Sequence, residues 1–269
     1  MARNPSWLLT LVLVSCLSVH HLNLPMPAAG AVGGSAFYKQ IGAMKWNERE
    51  PLISQEIISG NIPAFLRNMV AVHVSIRESS GKLVHATYFV MPDYLSIGSN
   101  DDFARVPMTP MTAQRIADSL HCFLPTRKIV NDIYKAAKVK PEPVPMFAFR
   151  DSPVTFYQHH LMIEGQRRGR KGLIAGIKKD VVLSSNINSD PKPNRVAIYG
   201  WHKKDGDPIQ PLYTGHVNWY VDYSHGIRLI YHTILVNGKK YEYTAVLKDP
   251  LLRSLLCDEA DCSFYRYTY

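Results

Sequence analysis

The hydrophobic period changes twice along this chain, and that change decides its fold class. Val70, Val72, Val74 and Ile76 alternate with other residues, the period of two of a strand with one buried face. Ser79-Ser80-Gly81-Lys82 reads as a turn and 83–91 as a second strand, so the pair predicts a hairpin, with 93–98 as a short third strand. From Thr109 the period is helical. Residues 112–120 put Ile116 and Leu120 on one face, and 127–138 gather Ile129, Val130, Ile133, Tyr134 and Ala137 behind a natural N-cap, Thr126. Strand signals return at 173–177, 180–184, 196–199, 226–236 and 240–247. Asn237-Gly238 between the last two is the strongest short hairpin signal in the chain. Helices are also expected at 48–58, 156–166 and 249–256. Antiparallel strands on both sides of a central helical segment predict a single α+β domain.

The first residues read differently. Arg3 is a minimal basic n-region and 7–19 is almost wholly apolar, the pattern of a secretory signal and too short for a comfortable membrane span. Residues 1–31 are therefore expected to be a signal peptide or lipoprotein leader. Ala29-Gly30-Ala31 is a small-x-small cleavage site, whereas Leu13-Val14-Ser15-Cys16 resembles the lipobox of bacterial lipoproteins, which leaves Cys16 as an acylated N-terminus. That assigns 32–269 to the α+β domain, crossed at 140–153 by an extended segment holding Pro141, Pro143, Pro145 and Pro153. No later segment is long and apolar enough to span a membrane. Of the other cysteines, Cys257 and Cys262 bracket a loop that a disulfide closes in an oxidising compartment, and Cys122 is left over.

The 269 residues carry a formal net charge of +9. For an exported protein this favours anionic envelope polymers, carbohydrates or membrane surfaces as partners. Nucleic acid is not expected: the basic run 167–171 has no interleaved aromatics, and no helix-turn-helix or zinc-finger spacing occurs.

Chemistry-bearing residues concentrate between 195 and 230. His202 ends a strand, a turn-rich passage follows at 203–211, and His216, Trp219, Asp222, Ser224 and His225 fall within ten residues. Asp222 and His225 are three apart, and a carboxylate accepting from one imidazole nitrogen fixes the tautomer of the other. The expected catalytic residues are His216, Asp222, His225 and His202. Trp201, Trp219, Arg167 and Arg168 are the expected substrate-binding residues, the indoles for stacking on sugar faces. The polar network of an ordinary loop is the plain alternative.

Other chemistries find weaker support. Histidines and an Asp suit zinc, yet neither HExxH nor the spacing of peptidoglycan-cleaving zinc peptidases occurs, so no metal is assigned. Ser224 lacks the Gly-x-Ser-x-Gly elbow, and no Gly-Lys-Ser/Thr phosphate loop is present, so no cofactor is expected. Cys122 ahead of the helix at 127–138, with sheet histidines later, loosely resembles papain-like cell-wall amidases, but their Asp-Cys-Ser-Gly signature is absent and a structural role is favoured for it. Three stretches, LPTRKIVNDIYKAA, GLIAGIKKDVVLS, and VAIYGWH with IQPLYTGHVNWYVDYSHGIRL, resemble a group of exported bacterial proteins. The resemblance implies an extracytoplasmic bacterial setting and brings no mechanism. The expectation is thus an exported or envelope-anchored hydrolase acting on a cell-wall or extracellular polymer through its His/Asp cluster. A non-catalytic secreted protein binding anionic or carbohydrate ligands is the alternative, with a zinc-dependent hydrolase as a further one.

Overall fold

A computed structural model of the protein describes residues 20–269. In chain order the elements are β1 (His20–His21), α1 (Gly34–Ile41), α2 (Trp46–Ile58), β2 (Asn68–Arg77), β3 (Leu83–Val90), β4 (Ser96–Gly98) and β5 (Phe103–Arg105). Then come α3 (Pro110–Ser119), β6 (Cys122–Phe123), α4 (Arg127–Ala136), α5 (Pro153–Arg167), β7 (Lys179–Val182), β8 (Arg195–His202) and β9 (Pro208–Val217). The last are β10 (His225–Gly226), β11 (Ile230–Tyr231), β12 (Thr233–Val236), β13 (Lys239–Glu242) and α6 (Tyr243–Lys248).

The protein is an α+β domain, as the hydrophobic period predicts. One sheet runs β1-β2-β3-β11-β6, with β12 and β13 continuing from β3, and its pairings are antiparallel. A second runs β10-β7-β8-β9, antiparallel except where β10 lies parallel to β7. One apolar core reaches from Leu22 to Tyr267 and joins α1–α4 to both sheets. Thr109 and Thr126 cap α3 and α4 by accepting from Thr112 N and Ile129 N, which satisfies donors that a helix start leaves free.

Three local expectations are corrected. Residues 203–211 do not form a plain turn: β9 begins at Pro208 and passes through Pro211. It pairs with β8 on one side, and an outer strand tolerates the missing N–H of proline. Residues 226–236 break into three short strands that serve two sheets. The strand expected at 240–247 turns helical at Tyr243, whose ring stacks on Phe123 at 4.0 Å and whose hydroxyl donates to Tyr265 O. Packing there overrides strand propensity.

The packed chain also begins earlier than residue 32. His20 and His21 pair with Met69 and Asn68, Leu22 is 2% exposed within the core, and the Arg67 guanidinium donates to the carbonyls of Leu24, Pro25 and Gly60. Gly60 has φ +90°, and a Cβ there would meet Pro25 O at 2.0 Å, so the strap lies directly on this glycine. Residues 20–31 therefore belong to the folded unit. The apolar stretch at 7–19 and Cys16 lie outside the described residues.

Cys257 and Cys262 stand at disulfide distance, with sulfurs 2.06 Å apart, as the spacing predicts. Cys122 is a buried free thiol on β6, and burial pushes its pKa well up, the opposite of what a nucleophile needs. In protein lacking Cys16, thiol reagents are expected to label none of the cysteines in the native state and one, Cys122, after denaturation without reductant. Three labels would exclude the bond. The tail beyond the disulfide enters the core: the Tyr267 hydroxyl donates to Val182 O at 2.7 Å and accepts from Ala197 N at 3.0 Å, closing the end of the β7–β8 ladder.

Candidate functional site

The second sheet brings the cluster together. His225 sits on β10 opposite Lys179, and Lys179 N donates to Ser224 O at 2.7 Å. The approach depends on Gly226: a Cβ there would lie 2.6 Å from the Tyr94 ring and from Lys178 Cβ. His216 is on β9, the opposite edge of the sheet, facing Val196. The β8–β9 pairing has two register irregularities, each with its extra residue on β9, and β8 itself takes left-handed φ of +109° at Gly200 and +57° at Trp201. Although these histidines are on opposite edge strands, the rings of His216 and His225 come within 6.1 Å. Tyr220 lies 5.0 Å from His216 and 6.1 Å from His225.

Asp222 is fully buried and its oxygens are committed. Oδ1 accepts from the backbone N–H of Ser224 at 2.7 Å and from the Ser224 hydroxyl, and Oδ2 accepts from Arg150 Nη2 at 2.9 Å. Burial alone would raise this carboxyl. The charge of His225, the Ser224 bonds and the Lys179 ammonium outweigh it and hold the pKa at about 2. Asp222 thus acts on the imidazoles through its charge; the tautomer-fixing bond expected from the three-residue spacing is replaced by a turn that ties Asp222 to Ser224. The Ser224 hydroxyl is spent in the same turn.

His225 is pushed down to about 4, chiefly by burial, against the opposing pull of Asp222. Its Nε2 has no hydrogen-bond partner. His216, half-buried, is lowered for the same reason. Both rings are neutral at pH 7, so each offers a lone pair. Lys179, lowered by burial, holds its ammonium 5.3 Å from the Trp201 ring centre. Asp180, on the same strand, is buried, accepts from the Tyr94 hydroxyl at 2.9 Å, and is raised by burial to about 7.

The other expected residues lie elsewhere. His202 is at the far end of β8, six residues from Val196, about 20 Å along a strand. Its ring stacks on Tyr134 at 4.5 Å and its Nε2 lies 3.1 Å from Asn131 Oδ1. Arg167 and Arg168 end the 15-residue helix α5, roughly 20 Å from its start. Arg167 is held there by Glu164 at 3.4 Å and rests on Phe65 and Phe103. Trp201 is 5% exposed, with no face free for a sugar. Trp219, by contrast, is 44% exposed.

Trp219 and Tyr220 line a cleft of about 440 Å³ whose other walls come from Trp46 and Arg49 on α2 and from Asp151 and Ser152 at the start of α5. Tyr220 is common to the cleft and the imidazole pair. Trp46 (39% exposed), Arg49, Arg150 and Lys179 were not picked out from the sequence. One sign was available: an indole at the first residue of a helix, outside its apolar face, is a side chain that the core does not need. Among the described residues, no three His, Cys, Asp or Glu side chains converge as a metal ion requires, and no helix is long and apolar enough to cross a membrane. No family model, curated protein or solved structure matches this chain.

Proposed function

We propose that the protein is an extracytoplasmic glycan-binding protein whose ligand lies in the cleft between Trp46 and Trp219. The observation that carries this is the pair of half-exposed indoles in one cleft, since a large aromatic face left in water is costly unless a ligand covers it. Asp151 and Ser152 supply the few polar groups that orient a ligand between apolar walls. The disulfide-distance cysteine pair, the leader pattern and the net charge of +9 support a site of action outside the cytoplasm, on an envelope or extracellular polymer.

Hydrolysis of the bound glycan is a second reading, favoured by one observation: the neutral His216 ring, a group able to act as a general base, lies 5.0 Å from the Tyr220 ring that lines the cleft. Trp219→Ala is expected to weaken glycan binding about tenfold, the factor that ~1.4 kcal/mol of lost stacking gives, with the fold unchanged. Calorimetric titration against soluble cell-wall and plant oligosaccharides measures it, and wild-type affinity in the folded variant would sink the glycan reading. His216→Ala separates the two readings. If wild-type protein releases reducing ends from a glycan it binds and the variant binds but releases none, the protein is a hydrolase. If wild type releases none, it is a binding protein.

A further inference from the structure

We infer that the cleft selects glycans that carry a carboxylate, and that Arg49 is the residue receiving it; the inference rests on the glycan reading above and adds the ligand's charge. Arg49 is 4% exposed, on α2, and lines the cleft. Its Nη1 reaches the Asp151 carbonyl at 3.4 Å, the outer limit of a hydrogen bond, and its Nε has no partner at all. The Glu50 and Asp151 carboxylates act on Arg49 through their charges without bonding its guanidinium, and that of Glu50 accepts instead from Thr109 N at 2.8 Å and from Thr109 Oγ1 at 2.7 Å. Below the guanidinium lies the Phe156 ring, 5.0 Å from Arg49 Cζ, which fixes the plane of the donor fork.

A buried guanidinium with unspent donors is expensive, and a carboxylate meeting two of its N–H groups side by side is the arrangement that relieves the cost. Two neighbours act in the same direction. Ser152, which lines the cleft, is the N-cap of the 15-residue helix α5 yet makes no side-chain capping bond, so the positive end of the helix is at the cleft wall. Lys45 stands exposed on the rim. Asp151, also on the rim and close enough to act on Arg49 through its charge, is the opposing charge that an acidic ligand must outweigh, and it is suited to sugar hydroxyls. The ligand class is therefore an acidic sugar ring stacked on an indole. Two sources share that chemistry, a uronic acid and the lactyl carboxylate of muramic acid.

The test is a set of titrations followed by calorimetry and by tryptophan fluorescence. One arm compares trigalacturonate with its methyl ester, and the other compares a disaccharide of N-acetylglucosamine and N-acetylmuramic acid with chitobiose. At least one acidic ligand is expected to bind tenfold or more tightly than its neutral counterpart, and the arm with the larger ratio identifies the source. Arg49→Gln should bring the ratio close to one while leaving the neutral ligand's affinity in place. Because Arg49 is buried, Lys45→Gln is the companion variant and should lower the ratio two- to threefold on an intact fold. Equal binding of acidic and neutral ligands by wild type, with both weakened about tenfold in Trp219→Ala, overturns the carboxylate assignment and leaves the glycan reading standing. Failure of all four ligands to bind overturns both.

Discussion

Arg105→Leu is expected to cost 3–5 kcal/mol of stability, a large share of the ~5–15 kcal/mol a domain possesses. Arg105 is fully buried and binds Asp93 through two parallel bonds, Nε to Oδ1 at 2.8 Å and Nη2 to Oδ2 at 2.7 Å. Nη2 also reaches Glu164 at 2.6 Å, and Nη1 lies 3.2 Å from His160 Nδ1. Burial works to raise the Asp93 pKa, and the Arg105 guanidinium more than offsets it, so Asp93 is ionised in the interior. Removing the guanidinium leaves that carboxylate without its main partner in a low dielectric, which is where most of the cost arises. Urea titration measures the loss. The double variant with Asp93→Leu should be more stable than Arg105→Leu alone, because no charge is stranded. A loss below 1 kcal/mol in the single variant would show that the pair contributes nothing beyond its packing.

A chain beginning at Val32 is expected to melt roughly 10–20 °C below one beginning at His20, from a loss on the order of 5 kcal/mol. The sum has two parts. Leu22 leaves a hole in the core, where such losses run about 2–5 kcal/mol. Arg67 loses two of its three carbonyl acceptors, at about 1.5–3 kcal/mol for each charged bond. Thermal melts of the two chains decide it, and a difference within 2 °C would mean that the strap is dispensable. The two processing points legible in the sequence are therefore not equivalent. Cleavage after Ala31 removes the strap, whereas processing at Cys16 leaves it on the fold.

Local patterns were readable where one residue's neighbours in sequence decide its environment. The alternation at 70–76 is β2, and the helical stripe behind Thr126 is α4, because each has one face on the core and one outside. Prolines at 208 and 211 masked β9, since their compatibility with a strand depends on the strand having no partner on that side. Tyr243 reads as a strand residue until Phe123, 120 positions earlier in the chain, is placed under its ring. The site divides along the same line. His216, Tyr220, Asp222 and His225 are near in sequence and meet in space. Trp46 and Arg49, some 170 positions from Trp219 in sequence, join it only as walls of one cleft in the folded chain. His202, separated from His216 by one strand and a turn, is carried to the other end of the same sheet.

The Tyr267 hydroxyl, wedged between Val182 and Ala197, has a consequence for when this molecule can become native. A ribosome delivers residue 267 long after β7 and β8 have become available to pair. Until then the final rung of their ladder is open, and the groove that the tail fills is bare apolar surface. Contacts spanning 70 and 85 positions close slowly, since the intervening loop must be ordered first. The nascent chain accordingly passes through a period in which β7 and β8 have been made and the second sheet is still unlatched. A stop codon ahead of Tyr267 would leave it in that state permanently.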